Sequence, residues 1–396
     1  MQMLFRFFVV VSLLAASSAC GQGARKLGEI RVEVDGNTIP VRVSANSPEL
    51  QALAQTAFNS HGRYRVVASG QAFDLKFSAQ GANQVRVEVT RGSAATAVVA
   101  ETVNGSSPRN ALLRAADVAV AKTNGQNLRG FFTAKMAFVS QRGGKGDIYS
   151  SDLFLGESMR LTQDNALVLS PRWAPDGSRL IYTSYFKSGG PDIFLLDPKS
   201  GRRETFASYR GTNTGARFSP NGQQVAMVLS GSGTPEIYTS NPQGRNAVQR
   251  TRSDSVKASP CWSPDGTQLV FAMEPGPQLY VMPAAGGAPR RLSVGFTYAA
   301  EPDWCRTDRN KIAFTARVGG RYQIAVYDLV TGKGQIVSKA AFDGLEPSWL
   351  ADGRHLVYTA RDRTSSVLCI LDTETGKSTV IAPASSAAMQ ASVWTP

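Results

Sequence analysis

One phrase recurs along the chain at a nearly fixed interval. An aromatic residue ends an apolar stretch, and a polar turn and a second apolar stretch follow, as in "PCWSPDGTQLVFAM" from Pro260. The aromatic residues are separated by 45, 44, 42, 45 and 45 residues, and they are Trp173, Phe218, Trp262, Trp304, Trp349 and Trp394. A period of this length, kept through six copies, indicates a repeat architecture.

Each period contains about four short apolar stretches with turn residues between them. The third stretch is seen in "DIFLLDPKSG" from Asp192 and in "QIAVYDLVTG" from Gln323. No helical periodicity interrupts these stretches, so each repeat is predicted to form a four-stranded sheet. A single small sheet cannot bury both of its faces, whereas six sheets arranged radially can. The repeats therefore predict a six-bladed β-propeller.

The phase of the repeat predicts how the propeller closes. The first copy, "KMAFVS" at 135–140, lacks the aromatic stretch that precedes the turn in the other copies, and the missing stretch stands at the end of the chain around Trp394. We therefore expect residues 391–396 to form the inner strand of a blade whose other strands come from 135–162. Such pairing also protects a terminal strand that would otherwise fray.

Residues 28 to about 130 do not follow this period. Ser47-Pro48 and Ser107-Pro108 each predict a helix start, because a Ser N-cap precedes Pro at the first helical position. Alternating apolar residues at 73–77 and 85–89 predict a hairpin with one buried face. The expected fold class is mainly β: a small α/β domain at 21–130 followed by the propeller at 131–396.

The chain begins with a signal for export. An Arg precedes an apolar run at 7–16 and then small residues, which is typical of a secretory signal sequence at 1–20. Two interpretations of "SSAC" stay open. Ser17 and Ala19 fit ordinary cleavage before Cys20, and the same residues resemble a lipobox in which Cys20 is lipidated and anchors the protein to a membrane.

Charge and cysteines restrict the function classes. The net charge is +13, but the basic residues are dispersed and no nucleic-acid motif accompanies them, so a solvated basic surface or an anion-rich envelope setting is expected. Cys261, Cys305 and Cys369 remain after the signal, and we expect buried free thiols, with a Cys261–Cys305 bridge as the alternative. The sequence predicts no metal site and no cofactor, and it indicates a monomer.

The sequence supplies few candidates for catalysis. It has no GxSxG motif, and nothing in the sequence brings its two histidines, His61 and His355, together. Carboxylates across the channel, Glu301 with Glu346, remain an alternative for hydrolysis or for holding a cation. We expect a protein that is not an enzyme.

Four features of the sequence point to one family: the signal sequence, the α/β domain, "WSPDG" at 262–266 and the joint "LRGFFTAKMAFVS" at 128–140. Together they resemble the TolB family of the Tol–Pal system. This resemblance implies a periplasmic hub without chemistry that serves envelope integrity, cell division and protein transport. The propeller mouth would bind a Pal-like peptidoglycan-associated lipoprotein. The N-terminal segment would bind a TolA-like inner-membrane protein through Arg25, Lys26, Leu27 and Ile30.

The mouth follows from propeller geometry, because the loops that lead into the inner strands lie around one end of the channel. Their aromatic and polar side chains suit a wet protein interface. The predicted binding residues are Thr212, Asn213, Asp254, Tyr298, Glu301, Phe342, Asp343 and Glu346. The plainer interpretation makes each an ordinary loop residue. A third function class, a lipid-anchored propeller at the outer membrane that binds cell-wall glycan, also stays open.

Overall fold

The computed structural model describes residues 38–92, 97–143 and 145–396. The signal sequence, Cys20 and the predicted partner segment with Arg25, Lys26, Leu27 and Ile30 lie outside these described residues. The described residues belong to one compact unit, in which a small α/β domain packs on a propeller. None of the described helices combines the length and the apolar character needed to cross a membrane.

The α/β domain is a five-stranded sheet covered by two helices. The strand order is β2-β1-β3-β4-β5, with β1 parallel to both neighbours. Its elements are β1 (Ile39–Ala45), α1 (Pro48–Ser60), β2 (Tyr64–Val66), β3 (Phe73–Gly81), β4 (Gln84–Arg91), β5 (Val99–Asn104) and α2 (Pro108–Thr123). The hydroxyl of Ser47 accepts from Leu50 N and that of Ser107 from Asn110 N, so both predicted helix starts are confirmed.

Six four-stranded antiparallel sheets form the propeller, which confirms the predicted number of blades. We call the strands of a blade A to D from the channel outward. Strands B to D of blade 1 are β6 (Lys135–Arg142), β7 (Lys145–Asp152) and β8 (Met159–Arg160). Blade 2 contains β9 (Val168–Trp173), β10 (Leu180–Ser184), β11 (Asp192–Leu196) and β12 (Arg203–Ala207). Blade 3 contains β13 (Asn213–Phe218), β14 (Val225–Leu229), β15 (Glu236–Ser240) and β16 (Val248–Gln249).

The remaining blades repeat this arrangement. Blade 4 contains β17 (Lys257–Trp262), β18 (Gln268–Met273), β19 (Gln278–Pro283) and β20 (Arg290–Arg291). Blade 5 contains β21 (Ala299–Trp304), β22 (Lys311–Val318), β23 (Arg321–Asp328) and β24 (Lys333–Ile336). Blade 6 contains β25 (Asp343–Trp349), β26 (His355–Arg361), β27 (Ser366–Asp372) and β28 (Ser378–Val380). A short 3-10 helix (Ala384–Ser386) leads to β29 (Ala388–Trp394).

The last strand supplies strand A of blade 1. β29 pairs antiparallel with β6, with Ala388 opposite Ser140 and Trp394 opposite Lys135. Trp394 packs on Trp173 of blade 2, and its indole Nε1 donates to the carbonyl of Pro175 at 2.9 Å. The strand predicted at 391–396 therefore begins three residues earlier, at Ala388, and ends at Trp394.

The two ends of the propeller channel differ in what surrounds them. Because each blade is antiparallel, the D–A connections and B–C hairpins lie at one end, which we call the mouth. The A–B and C–D turns lie at the other end, which we call the turn face. The α/β domain contacts the turn face: Arg109 pairs with Asp152 at 3.0 Å, and Lys377 donates to the carbonyl of Asn59 at 2.7 Å.

Candidate functional site: the channel and its mouth

The channel wall repeats one unusual backbone conformation. In every A strand one residue has a left-handed φ between 52° and 65°, and the register to strand B shifts beside it. These residues are Ser170, Gly215, Ser259, Glu301, Glu346 and Gln390. They line a cavity of about 60 Å³ within the channel. The bulges that they form set which side chains reach the channel.

Three of these residues connect neighbouring blades. Glu301 Oε2 accepts from Glu346 N at 3.0 Å, and Glu346 Oε2 accepts from Gln390 N at 3.1 Å. Gln390 Oε1 in turn accepts from Ser170 N at 2.8 Å. This series, which we call the bulge chain, runs from blade 5 through blades 6 and 1 to blade 2.

The two carboxylates of the bulge chain lie in neighbouring blades, and the charge of Glu346 acts on Glu301. Burial, and then the negative charge of Glu346, raise the pKa of Glu301 to about 7. Their oxygens already accept from Thr315 and Thr359 hydroxyls at 2.7 and 2.9 Å, in addition to the backbone N–H groups. These bonds hold the blades together and give the pair a structural function.

The structure separates the predicted mouth residues into two groups. Asn213 is fully buried and bonds the backbone of Tyr209, and Asp343 accepts from Tyr322 N at 3.0 Å. Together with Glu301 and Glu346, they shape the mouth from within. Asp254 is exposed, and Thr212, Tyr298 and Phe342 are half-buried, as are Asp343, Glu301 and Glu346. Tyr298 packs edge-on against Tyr322 at 5.1 Å between ring centroids. Binding by all eight remains a prediction.

Sequence reasoning missed two exposed aromatic residues at the mouth. Tyr209 in a D–A loop is 47% exposed and Phe186 in a B–C hairpin is 36% exposed. The guanidinium carbon of Arg203 lies 3.9 Å from the ring centroid of Phe186. B–C hairpins reach the same end as the D–A loops, so counting both sets of loops would have found Phe186.

A second cavity, of about 180 Å³, lies toward the turn face, and we call it the chamber. All five tryptophans of the chain line it, together with Phe218. At six equivalent A-strand positions, two residues after each bulge, the chain places Arg172, Arg217, Cys261, Asp303, Ser348 and Ser392. The chamber therefore combines aromatic walls with a few charged groups.

The charged groups of the chamber are unevenly paired. Arg217 Nη1 lies 2.5 Å from Asp303 Oδ1 and 2.7 Å from Cys261 Sγ. The other oxygen of Asp303 accepts from Trp349 N at 2.8 Å. Arg172 donates to the carbonyl of Pro171 at 3.0 Å and forms no ion pair within the described part of the chain. Cys261, Cys305 and Cys369 are free and buried, so the bridged alternative is wrong.

The expectation that His61 and His355 do not meet is wrong. Both imidazoles are fully buried where the α/β domain contacts blade 6, with ring centroids 4.3 Å apart. The contact depends on Gly62, because a Cβ there would lie 1.9 Å from Asp372 Oδ2. Residues almost 300 positions apart come together through domain packing, which no local motif signals.

This histidine pair also has a carboxylate beside it. Ligand atoms of His61, His355 and Asp352 lie within 4.8 Å of one another. However, His355 Nδ1 is 2.5 Å from Asp352 Oδ2, and His355 Nε2 accepts from Gly62 N at 3.2 Å. His61 Nδ1 accepts from Arg63 N. The nitrogens that accept these N–H groups are not free to bind a metal, whereas the buried His61 Nε2 has no hydrogen-bond partner among the described residues. The bonds observed in the cluster connect the two domains.

Acid is expected to weaken this contact. Burial, and then the positive charge that His355 can carry, lower the pKa of His61 well below its usual value of 6.5. As the pH falls, His61 therefore binds a proton in the unfolded chain before it does so in the folded protein. The free energy of unfolding decreases below about pH 6.5, by up to about 1.4 kcal/mol per pH unit. Urea unfolding of the wild type and of His61→Phe between about pH 7 and about pH 5 measures this difference.

Comparison with His61→Phe is needed because other groups act in the opposite direction. The raised pKa values of Glu301, about 7, and Asp117, about 6, favour the folded state as the pH falls through that range. Both proteins share these groups, so their effect cancels. The wild type should lose stability relative to the variant in acid, and parallel pH profiles would contradict this account of His61.

The fold and its channel define a class of protein: a six-bladed propeller with a small α/β domain on its turn face. Residues 124–396 match the model of the TolB beta propeller domain. That match covers more than half of the chain, and the chain belongs to the TolB family.

Relatives agree with this assignment. The chain is 33% identical over 164 residues to "Protein TolB homolog" of Chlorobium luteolum and 28% identical over 163 residues to "Tol-Pal system protein TolB" of Bordetella pertussis. These alignments cover 41% and 40% of this chain and 37% of each relative's length. The crystal structure of TolB from Acinetobacter baumannii superposes with a TM-score of 0.80 at 22% identity, over 92% of this chain and 98% of that one. This likeness extends the shared fold to the α/β domain.

Proposed function

We propose that this protein is an exported, periplasmic binding hub of a Tol–Pal type system. Its mouth binds a Pal-like lipoprotein, and its N-terminal segment at 21–30 binds a TolA-like inner-membrane protein. The proposal is supported by the family membership and by the naming of a relative as a Tol-Pal system protein. No chemical step is required of the protein in this function.

The single observation that carries the proposal is the accessibility of the mouth. The α/β domain contacts the propeller at the turn face, through the pairs Arg109–Asp152 and Lys377–Asn59. The loops at the opposite end therefore remain available to a partner. Their half-buried and exposed aromatic side chains belong to the residue types that dominate binding energy at protein interfaces.

The aromatic residues of the mouth provide the test. Tyr298 and Phe342 come from successive D–A loops, and Tyr322 supports the ring of Tyr298. Replacing both Tyr298 and Phe342 by Ala should weaken binding of the soluble domain of a Pal-like lipoprotein at least about tenfold, because such anchors contribute about 2 kcal/mol or more. Titration calorimetry with both purified proteins measures the dissociation constant.

A control pair lies elsewhere on the surface. Met159 and Val330 are 51% and 75% exposed, the first in an outer strand and the second in a C–D turn. Alanine at both should leave binding unchanged, and circular dichroism should be the same for all three proteins. Equal affinity of the Tyr298/Phe342 variant and the wild type would remove the mouth as the binding surface.

A further inference from the structure

The chamber lies at the end of the channel opposite the proposed partner surface. Residues of the A–B turns, such as Arg306 and Thr307, form its rim, and both are exposed. Arg172 and Arg217 line both the chamber and the smaller cavity, so they stand between the two. A ligand in the chamber would therefore meet these two guanidinium groups at its inner end.

The chamber has more cationic side chains than carboxylates among its described lining residues. Asp303 is its one carboxylate among the described lining residues. Its oxygens already accept hydrogen bonds from Arg217, Cys261 and Trp349 N. Arg172 is left with a backbone carbonyl as its partner. Burial, and then the charge of Arg217, lower the pKa of Arg172 to about 10, and the charges of Asp303 and Glu346 offset this only in part.

One of the five tryptophans also lacks a hydrogen-bond acceptor among the described residues, which is an observation independent of the charges. Trp262, Trp304, Trp349 and Trp394 each donate Nε1–H to a backbone carbonyl at 2.8–3.0 Å. Trp173, next to Arg172 and 5% exposed, is the exception, because its buried Nε1 has no partner in the described part of the chain. Two adjacent residues of blade 2 thus present donors without matching acceptors.

We propose that the chamber is a binding site for a monocarboxylate with a short apolar chain, whose carboxylate pairs with Arg172. Apart from the exposed Arg306 at the rim, two arginines face one aspartate in the chamber, so one negative charge balances its inner part. The planar guanidinium fits a carboxylate through two parallel hydrogen bonds. The tryptophan walls bury the apolar part of the ligand. A volume of about 180 Å³ admits a small acid or the last residues of a peptide.

The five tryptophans make binding directly observable. Hexanoate, titrated into the full-length mature protein in a low-chloride buffer, should change the tryptophan fluorescence saturably, with half-saturation at about 1 mM or below. Hexanol and sodium chloride at the same concentrations should not produce that change. Two short peptides of one sequence, with a free and with an amidated C-terminus, distinguish a chain terminus from a free acid as the ligand.

Arg172→Gln tests the assigned contact. It should weaken hexanoate binding at least about tenfold, because a hydrogen-bonded charge is lost. The variant should keep the melting temperature of the ligand-free protein, since it removes a cation without an ion-pair partner. Arg202→Gln makes the same chemical change at a side chain that is 77% exposed in a C–D turn, and its binding should equal that of the wild type.

The outcomes separate clearly. Saturable binding of hexanoate or of the free-acid peptide that depends on Arg172 supports the site, and the tighter of the two probes identifies the source of the carboxylate. Absence of saturable binding by either probe overturns the proposal. Equal binding by Arg172→Gln, or tighter binding of inorganic phosphate than of both carboxylates, overturns it as well.

Discussion

Removal of residues 388–396 is expected to lower the melting temperature by more than about 10 °C, or to prevent folding. The deletion takes away strand A of blade 1 and exposes the edge of β6 along its whole pairing with β29. It also removes Gln390, which connects blades 6 and 2 through the bulge chain, and Trp394, which packs on Trp173. Differential scanning calorimetry measures the effect.

A shorter deletion is the matched control. Thr395 and Pro396 follow the last strand and contribute nothing to its pairing with β6. Their removal should change the melting temperature by less than about 2 °C, because surface changes outside packed elements have small effects. Similar melting temperatures for the long deletion and the wild type would mean that β29 does not close the propeller.

Replacement of Lys257 by Met should be the most damaging single substitution that we predict. The Lys257 and Glu236 side chains are 1% and 2% exposed, with Nζ 2.9 Å from Glu236 Oε1. The ammonium also donates to the carbonyl of Ser255 at 2.6 Å. Removing it leaves a buried carboxylate without its counter-charge, which costs about 3–5 kcal/mol. Urea unfolding measures the loss.

The paired substitution shows whether the lost charge balance is the cause. Replacing Glu236 by Leu together with Lys257 by Met removes both charges, and this should recover a large part of the stability. Glu236 also accepts from Ser253 N at 2.7 Å, so the loop with Asp254 should remain looser in the double variant. A Lys257→Met protein within about 1 kcal/mol of the wild type would contradict the prediction.

The repeat made the propeller predictable because its signal is local and is given six times. Each copy carries its own strands and turn, and Trp394 revealed by its position which strand was missing. The Ser-Pro pairs located both helices for the same reason, since a helix cap is contained within a few residues. The exact start of the last strand was not predictable, because it depends on the bulge at Gln390. No local sequence pattern marks that bulge.

The sites were less predictable because their geometry depends on distant residues. His61 and His355 meet only when the α/β domain packs on blade 6. Glu301 and Glu346 were expected at the mouth for binding, yet their oxygens bond the neighbouring A strand. Arg172 and Arg217 looked like dispersed basic residues, and only the blade register places them side by side in the chamber. Loop residues are positioned by the blades around them rather than by local pattern.

A single sheet joins residues 135–160 to residues 388–394, so its first three strands are synthesised more than two hundred residues before the fourth. Until residues 388–394 have been made, strand β6 has no inner neighbour and the ring cannot close. Closure of the ring therefore waits for β29, and blade 1 is the last of the six blades that can be completed.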